Sequence, residues 1–68
     1  MKHLQKIKPV HVYVYYAKNG HFKDTHTFNR ALDAKRYVEQ MAAITKTEML
    51  FIIHDEHNEL YRGDGKKV

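Results

Sequence analysis

Cysteine, serine and tryptophan are absent from this 68-residue chain, and proline occurs once. Without cysteine the chain has no disulfide and no thiolate metal site. A domain of this size buries only about 60% of its chain surface on folding, so its core is thin. Small domains without such cross-links often enlarge their hydrophobic core by forming oligomers. We therefore expect one domain over residues 1–68, and dimerisation is an open question before any motif is considered.

A long apolar run is also missing. The longest one, residues 49–53, is far shorter than the about 20 residues needed to cross a bilayer. The first ten residues lack the continuous apolar stretch of a signal peptide. These absences predict a cytoplasmic protein with no membrane partner.

Positive charge is concentrated at the two ends of the chain. The net charge is +4, yet residues 9–65 carry seven basic and eight acidic side chains. The excess lies in a basic leader, residues 1–8, and in a segment, residues 63–68, that we predict to be a loose tail. Because phosphate contacts dominate affinity for nucleic acid, this distribution argues against a basic folded face but leaves room for a basic arm.

Residues 10–16 are β-branched or aromatic at almost every position and predict the first strand. Strict alternation divides this strand into two faces. One face carries Val10, Val12, Val14 and Tyr16. The other face carries His11, Tyr13 and Tyr15.

The dipeptide Asn19-Gly20 predicts a hairpin directly after this strand. Asn-Gly suits a two-residue type I′ turn, since both of its positions need a positive φ. A two-residue loop pairs Tyr13 with His26. The second strand, residues 22–27, is more polar and suits a sheet edge.

One helix is predicted from about Asn29, whose side-chain oxygen can cap it, to Ile44. Apolar residues spaced i, i+3, i+4 and i+7 form its buried stripe. The stripe comprises Ala31, Ala34, Tyr37, Val38, Met41 and Ala42.

The apolar residues 49–53 predict a third strand, beginning at residue 48, in the middle of a sheet. Residues 55–58 predict a turn and residues 59–62 a short fourth strand. Polar strands suit edges, so we predict an α+β fold, ββαββ, with an antiparallel sheet in the order 2-1-3-4 and the helix on one face. The predicted core contains Val12, Val14, Tyr37, Val38 and Met41, with at least two of Leu50, Phe51 and Ile52.

Three segments, taken in order, resemble one known family. They are the first strand with its Asn-Gly turn and Phe22, the Phe28-Asn29 entry into an Ala-rich helix, and residues 48–54 followed by a polar turn and Glu59-Leu60. The chain is similar over roughly residues 10–62 to a small bacterial and phage family catalogued as domain of unknown function 2188. It differs in having no glycine in the second turn and Phe22 in place of a tryptophan. The resemblance supports ββαββ and implies no activity.

The titratable side chains do not predict catalysis. His54, Asp55 and His57 are close in sequence but lack the i, i+4 spacing of a zinc-protease helix, and a zinc site needs three or four converging ligands. The chain has no cysteine or serine nucleophile, and no glycine-rich phosphate loop. We therefore predict no enzyme, no metal and no cofactor.

One helix covers only one face of a four-stranded sheet, so the other face is the predicted binding face. Its residues are His11, Tyr13, Tyr15, Phe22 and His26, with Phe28 as a further candidate. Such a face can bind protein, or it can stack the bases of single-stranded nucleic acid while the Lys-rich ends contact phosphates. A different strand register would instead place some of these rings in the core.

Among these interpretations, the sequence favours a non-enzymatic interaction or regulatory module of bacterial or phage origin. Its expected partner is a second copy of itself, in a homodimer, or another protein. Single-stranded nucleic-acid binding is the alternative.

Overall fold

A computed structural model describes residues 8–66 of the chain. The elements are β1 (Val10–Tyr16), β2 (Phe22–Phe28), α1 (Ala31–Ile44), β3 (Met49–His54) and β4 (Glu59–Gly63). The strands form one antiparallel sheet in the order β2-β1-β3-β4, and α1 packs on one of its faces. The predicted ββαββ architecture and strand order are confirmed. The basic leader lies outside the described residues except for Lys8.

The core lies between α1 and the two central strands. Alternate residues of β1 and β3 point toward α1 because successive side chains of a strand face opposite sides. The buried apolar residues are Val10, Val12, Val14, Ala34, Val38, Met49, Phe51 and Ile53. Tyr37 and Met41 pack against this core but are only half-buried, so the prediction that they are buried is wrong. Between residues 8 and 66, no helix is long and apolar enough to cross a membrane.

The prediction that two of Leu50, Phe51 and Ile52 are buried is wrong. Phe51 is fully buried, whereas Leu50 and Ile52 are only half-buried. Both lie on the face of β3 that points away from α1, because they alternate with Phe51 along the strand. The apolar run therefore supplies side chains to both faces of the sheet.

The loop between β1 and β2 is longer than the two-residue turn that Asn19-Gly20 predicted. It comprises residues 17–21 and is closed by hydrogen bonds from the Gly20 N–H to the Tyr16 carbonyl (2.7 Å) and from the Tyr16 N–H to the His21 carbonyl (2.9 Å). Gly20 has a positive φ of 75°, but Asn19 does not. The Asn19 side-chain oxygen instead accepts a hydrogen bond from the His21 N–H (2.9 Å). The type I′ prediction is therefore wrong, although the hairpin turns where expected.

The pairing of β1 with β2 differs from the prediction because β2 contains one extra residue, Lys23. Tyr13 lies opposite Thr25, not opposite His26 as predicted, and Val12 lies opposite His26. The longer loop alone would shift the register by two residues and leave every side chain on its predicted face, whereas the extra residue changes the shift to one and so exchanges the faces. His26 and Phe28 consequently point toward α1, and their assignment to the binding face is wrong.

Each edge strand contains one extra residue that breaks the pairing with its neighbour. The extra residue is Lys23 in β2 and Leu60 in β4. Such bulges bend a strand and increase its twist.

Helix α1 begins later than the sequence suggested. Arg30, not Asn29, occupies the N-cap position, and no side chain caps the helix. The Arg30 guanidinium instead pairs with Asp33 in the first turn at 3.2 Å. The helix ends at Ile44, as predicted.

The segment after β4 contacts the core, although the sequence suggested a loose tail from residue 63. Gly65 is buried, and a Cβ placed on it would lie 2.9 Å from Val38 Cγ1 and 3.0 Å from Phe51 Cδ2. Its N–H donates a hydrogen bond to the Tyr61 hydroxyl (2.8 Å). Residues 67 and 68 of the predicted tail lie outside the described residues.

The predicted turn between β3 and β4 is present and is organised by Asp55. Its Oδ1 accepts hydrogen bonds from the N–H groups of Asn58 (2.7 Å) and His57 (2.9 Å). The Asp55 N–H donates to the Asn58 carbonyl (2.9 Å). The hydrogen bonds to the carboxylate lower the pKa of Asp55 below its usual value, and the bond from Asn58 has a larger effect than the bond from His57.

We expect the Asp55 turn to make the protein less stable in acid. A pKa that is lower in the folded than in the unfolded state gives stability that is present above the unfolded value, about 4, and is lost as the pH falls through the folded value. Asp55→Asn should therefore be less stable than the wild type at neutral pH, with the difference shrinking in acid. Urea unfolding between about pH 2 and pH 7 measures this.

The control for this prediction is Glu56→Gln in the same turn. Within residues 8–66 the Glu56 carboxylate accepts no main-chain hydrogen bond, so we expect the substitution to change the pH profile little. The free energy of unfolding of Asp55→Asn could instead depend on pH in the same way as that of the wild type. That result would show that the hydrogen bonds to the ionised Asp55 carboxylate do not stabilise the folded state.

Candidate functional site

The candidate site is the sheet face that points away from α1, which we call the open face. All four strands contribute to it, since their residues alternate between the two faces. Its residues are His11, Tyr13, Tyr15, Phe22, Thr25, Thr27, Leu50, Ile52, His54, Glu59 and Arg62.

The centre of the open face is apolar and aromatic. Tyr13 lies opposite Ile52, and Tyr15 lies opposite Leu50, on adjacent strands. The Tyr15 and Phe22 rings meet edge to face, with centroids 5.6 Å apart. Phe22 is 56% exposed. Three neighbouring strands thus present one continuous apolar surface that the helix does not cover.

A polar end borders this apolar centre. His11 and His54 lie directly opposite each other on β1 and β3. His11 Nδ1 lies 2.9 Å from the Thr27 hydroxyl, and Glu59 lies opposite His54 on β4. These four residues form a row of hydrogen-bonding groups across all four strands.

The charges on the open face pair with each other. The Arg62 guanidinium lies 2.7 Å from the Glu59 carboxylate. The hydrogen bond from Arg62 lowers the pKa of Glu59, and the charge of Arg62 contributes further. The hydrogen bond to Glu59 and the charge of Glu59 raise the pKa of Arg62. The charge of the Tyr15 phenol, when ionised, raises the pKa of Arg62 further. The β4 edge of the face therefore presents a neutral ion pair.

Four of the five predicted binding residues lie on the open face, namely His11, Tyr13, Tyr15 and Phe22. The fifth, His26, packs on the other side of the sheet against the Tyr37 ring, with centroids 4.6 Å apart. Sequence reasoning missed seven residues of the open face, namely Leu50, Ile52, His54, Glu59, Arg62, Thr25 and Thr27. The alternation of β3 could have identified the first three, because a strand with one buried face exposes every second residue.

A second polar cluster, Asp24, His26 and Tyr37, lies between β2 and α1. His26 Nε2 is 3.2 Å from the Asp24 carboxylate but makes no well-oriented hydrogen bond, and this atom is buried. Burial raises the pKa of Tyr37, and the charge of Asp24 raises it further. The cluster contains no serine, cysteine or lysine.

Two cavities among the described residues lie elsewhere, beside the end of α1 and the segment after β4. One is about 60 Å³ and is lined in part by Thr45, Met49 and Asp64. The other is an open groove of about 380 Å³ along Glu39, Ala43 and Lys66. The first is well below the about 300–1,000 Å³ of small-molecule sites, and the second is shallow and solvent-open. Neither has the features of a substrate pocket.

No family model, no curated protein and no solved structure matches the chain. The resemblance to domain of unknown function 2188 therefore stays a prediction. The open face is therefore the basis of the function proposed below.

Proposed function

We propose that the protein is a non-enzymatic interaction module that forms a symmetric dimer through the open face. The observation that carries this proposal is the arrangement of the face, with an apolar centre and a polar margin. Tyr13 and Ile52 occupy the centre, and Tyr15, Leu50 and Phe22 extend the apolar surface to one end of the face. The polar residues His11, Thr27, Glu59 and Arg62 lie at the other end and along the β4 edge. Protein interfaces share this anatomy, and tyrosine and arginine are enriched in them.

The size of the open face suits a small interface. The strands have five to seven residues. With a rise of about 3.3 Å per residue and strands about 4.8 Å apart, the face measures about 20 by 20 Å. Its accessible area exceeds that flat footprint because the side chains project from it. It therefore approaches the about 600 Å² per partner of the smallest stable interfaces, which predicts a dimer of modest affinity.

The charge pattern favours a second copy over nucleic acid. Within the open face, Arg62 is the single lysine or arginine, and Glu59 already pairs with it. Nucleic-acid affinity depends on unpaired cations that contact phosphates. Two neutral apolar faces, in contrast, do not repel each other, and closed two-fold dimers are the commonest assemblies of identical chains.

Sedimentation equilibrium over a concentration series, with and without a single-stranded oligonucleotide, tests this proposal. We expect a monomer–dimer equilibrium that the oligonucleotide leaves unchanged at low and moderate salt. A monomer that binds the oligonucleotide, with affinity falling steeply as salt rises, would replace the proposal with the nucleic-acid alternative. A monomer that ignores the oligonucleotide would refute both.

A further inference from the structure

The polar end of the open face contains a cross-strand pair of histidines. His11 and His54 are direct partners in the antiparallel pairing of β1 with β3, and both are half-buried. Side chains of such partners leave the same face with Cβ atoms about 4.5–5.5 Å apart. The two histidines therefore leave the same face from neighbouring positions at one end of the proposed interface.

Both imidazoles have their Nδ1 atom occupied by a neighbour. His54 Nδ1 faces the main-chain carbonyl of Asp55, which can only accept, so neutral His54 carries its proton on Nδ1. His11 Nδ1 lies 2.9 Å from the Thr27 hydroxyl. Metal-binding histidines are held in this way, with one ring nitrogen bonded to the protein and the other left as the ligand. His54 Nε2 therefore has a free lone pair with which it can bind a metal ion.

A single copy does not complete a metal site. Across the described part of the chain, residues 8–66, no three histidine, aspartate or glutamate side chains converge in a way that could hold a metal ion. Glu59, the nearest carboxylate in the row, is engaged by Arg62 at 2.7 Å. Zinc takes four ligands in structural sites, so two further ligands have to come from elsewhere.

The polarity of the open face determines how two copies fit together. Phe22, Tyr15 and Leu50 lie at one end of the face, and the histidine pair lies at the other. A two-fold axis parallel to the strands places apolar end on apolar end and β1 over β3 of the second copy. An axis across the strands would place the histidines against the apolar end, leaving polar groups without partners.

We propose that the dimer binds one divalent transition metal ion between His11 and His54 of both copies, an inference that rests on the proposed dimer. With the two-fold axis parallel to the strands, His11 of each copy faces His54 of the other. Facing sheets pack about 10 Å apart with their side chains in the layer between them, so the four imidazoles share one layer. Imidazole nitrogen suits Zn²⁺, Cu²⁺ and Ni²⁺. The metal then strengthens the dimer by mass action.

Zn²⁺ titration of the full chain, after removal of metal with EDTA, tests this inference. Sedimentation equilibrium should show the dimer dissociation constant falling by at least about tenfold with Zn²⁺. Native mass spectrometry should show one Zn²⁺ per dimer. His54→Gln should abolish the response, with an unchanged circular dichroism spectrum. His21→Gln, in the exposed β1–β2 loop, is the matched control and should respond as the wild type does.

The outcomes separate this inference from the proposed function. A dimer that neither Zn²⁺ nor EDTA affects would overturn the metal site and leave the dimer proposal standing. A monomer with and without Zn²⁺ would overturn both. Zinc bound to each monomer without association, or a response that His21→Gln removes as well as His54→Gln, would also overturn the metal site.

Discussion

Gly65→Ala is expected to destabilise the protein by about 2–5 kcal/mol. Gly65 has a φ of 84°, a conformation that costs other residues about 1–2 kcal/mol. Its new Cβ would also lie 2.9 Å from Val38 Cγ1 and 3.0 Å from Phe51 Cδ2. Overpacking of a core typically costs about 1–3 kcal/mol more.

Gly20→Ala separates these two contributions. Gly20 has a similar φ of 75°, but a Cβ at this position meets nothing within 4 Å. We expect Gly20→Ala to show the backbone cost alone, about 1–2 kcal/mol, and Gly65→Ala to show both costs. Urea unfolding of the two variants measures the difference. Equal losses would mean that the segment around Gly65 does not pack on the core in solution.

Such a loss is large for a domain of this size. Stabilities of about 0.05–0.15 kcal/mol per residue give only about 3–10 kcal/mol in total for a chain of this length. The substitution would also displace the N–H of residue 65 from the Tyr61 hydroxyl, 2.8 Å away in the wild type. A substantial unfolded fraction is therefore expected for Gly65→Ala at physiological temperature.

Tyr13→Glu is expected to convert the proposed dimer to a monomer, with a loss of affinity of at least about 100-fold. Tyr13 lies at the centre of the open face, between Thr25 and Ile52 on the neighbouring strands. A carboxylate at this position would be buried in an apolar interface without a partner, which costs several kcal/mol. Both copies would carry the charge near the two-fold axis, so the two carboxylates would repel each other. Sedimentation equilibrium measures the loss, and the far-ultraviolet circular dichroism of α1 should be unchanged.

Gln40→Glu adds the same charge on the exposed face of α1, away from the interface, and is the matched control. It should dimerise as the wild type does. Tyr13→Glu that dimerises with the affinity of Gln40→Glu would place the interface elsewhere on the molecule.

The fold could be predicted from the sequence because several independent patterns agree. Alternation in residues 10–16, the helical spacing over 31–42 and the apolar run 49–53 each specify one element. The polarity of the second and fourth strands placed them at the edges, and the structure has them there. The topology could be predicted from these hydrophobic patterns because each pattern indicates which residues of an element are buried.

The candidate site could be predicted only in part, because its composition depends on one bulge in β2. Asn19-Gly20 suggested two residues between the last paired positions, whereas the structure has four between Tyr16 and His21, and this difference alone would keep each side chain on its face. The extra residue Lys23 changes the register shift from two residues to one, and a shift of one residue exchanges the faces of a strand. His26 and Phe28 moved to the helix side for this reason.

Local sequence also gave no sign of the contact at Gly65. Hydrophobic patterns detect side chains that are buried, but glycine packs through its backbone and lacks such a signal. The surrounding residues Asp64 and Lys66 are exposed and polar, which is typical of a tail. Only the three-dimensional arrangement shows that this backbone covers Val38 and Phe51.

The bulges at Lys23 and Leu60 bear on how far the proposed association can extend. An unpaired sheet edge is a template on which further strands can add, and bulges on edge strands oppose such addition. Both edges of this sheet contain one. In the proposed dimer the open face of each copy is covered by the other, so the described residues leave neither an open face nor a regular edge for a third chain. We therefore expect a concentrated solution of the protein to contain dimers and no fibrils.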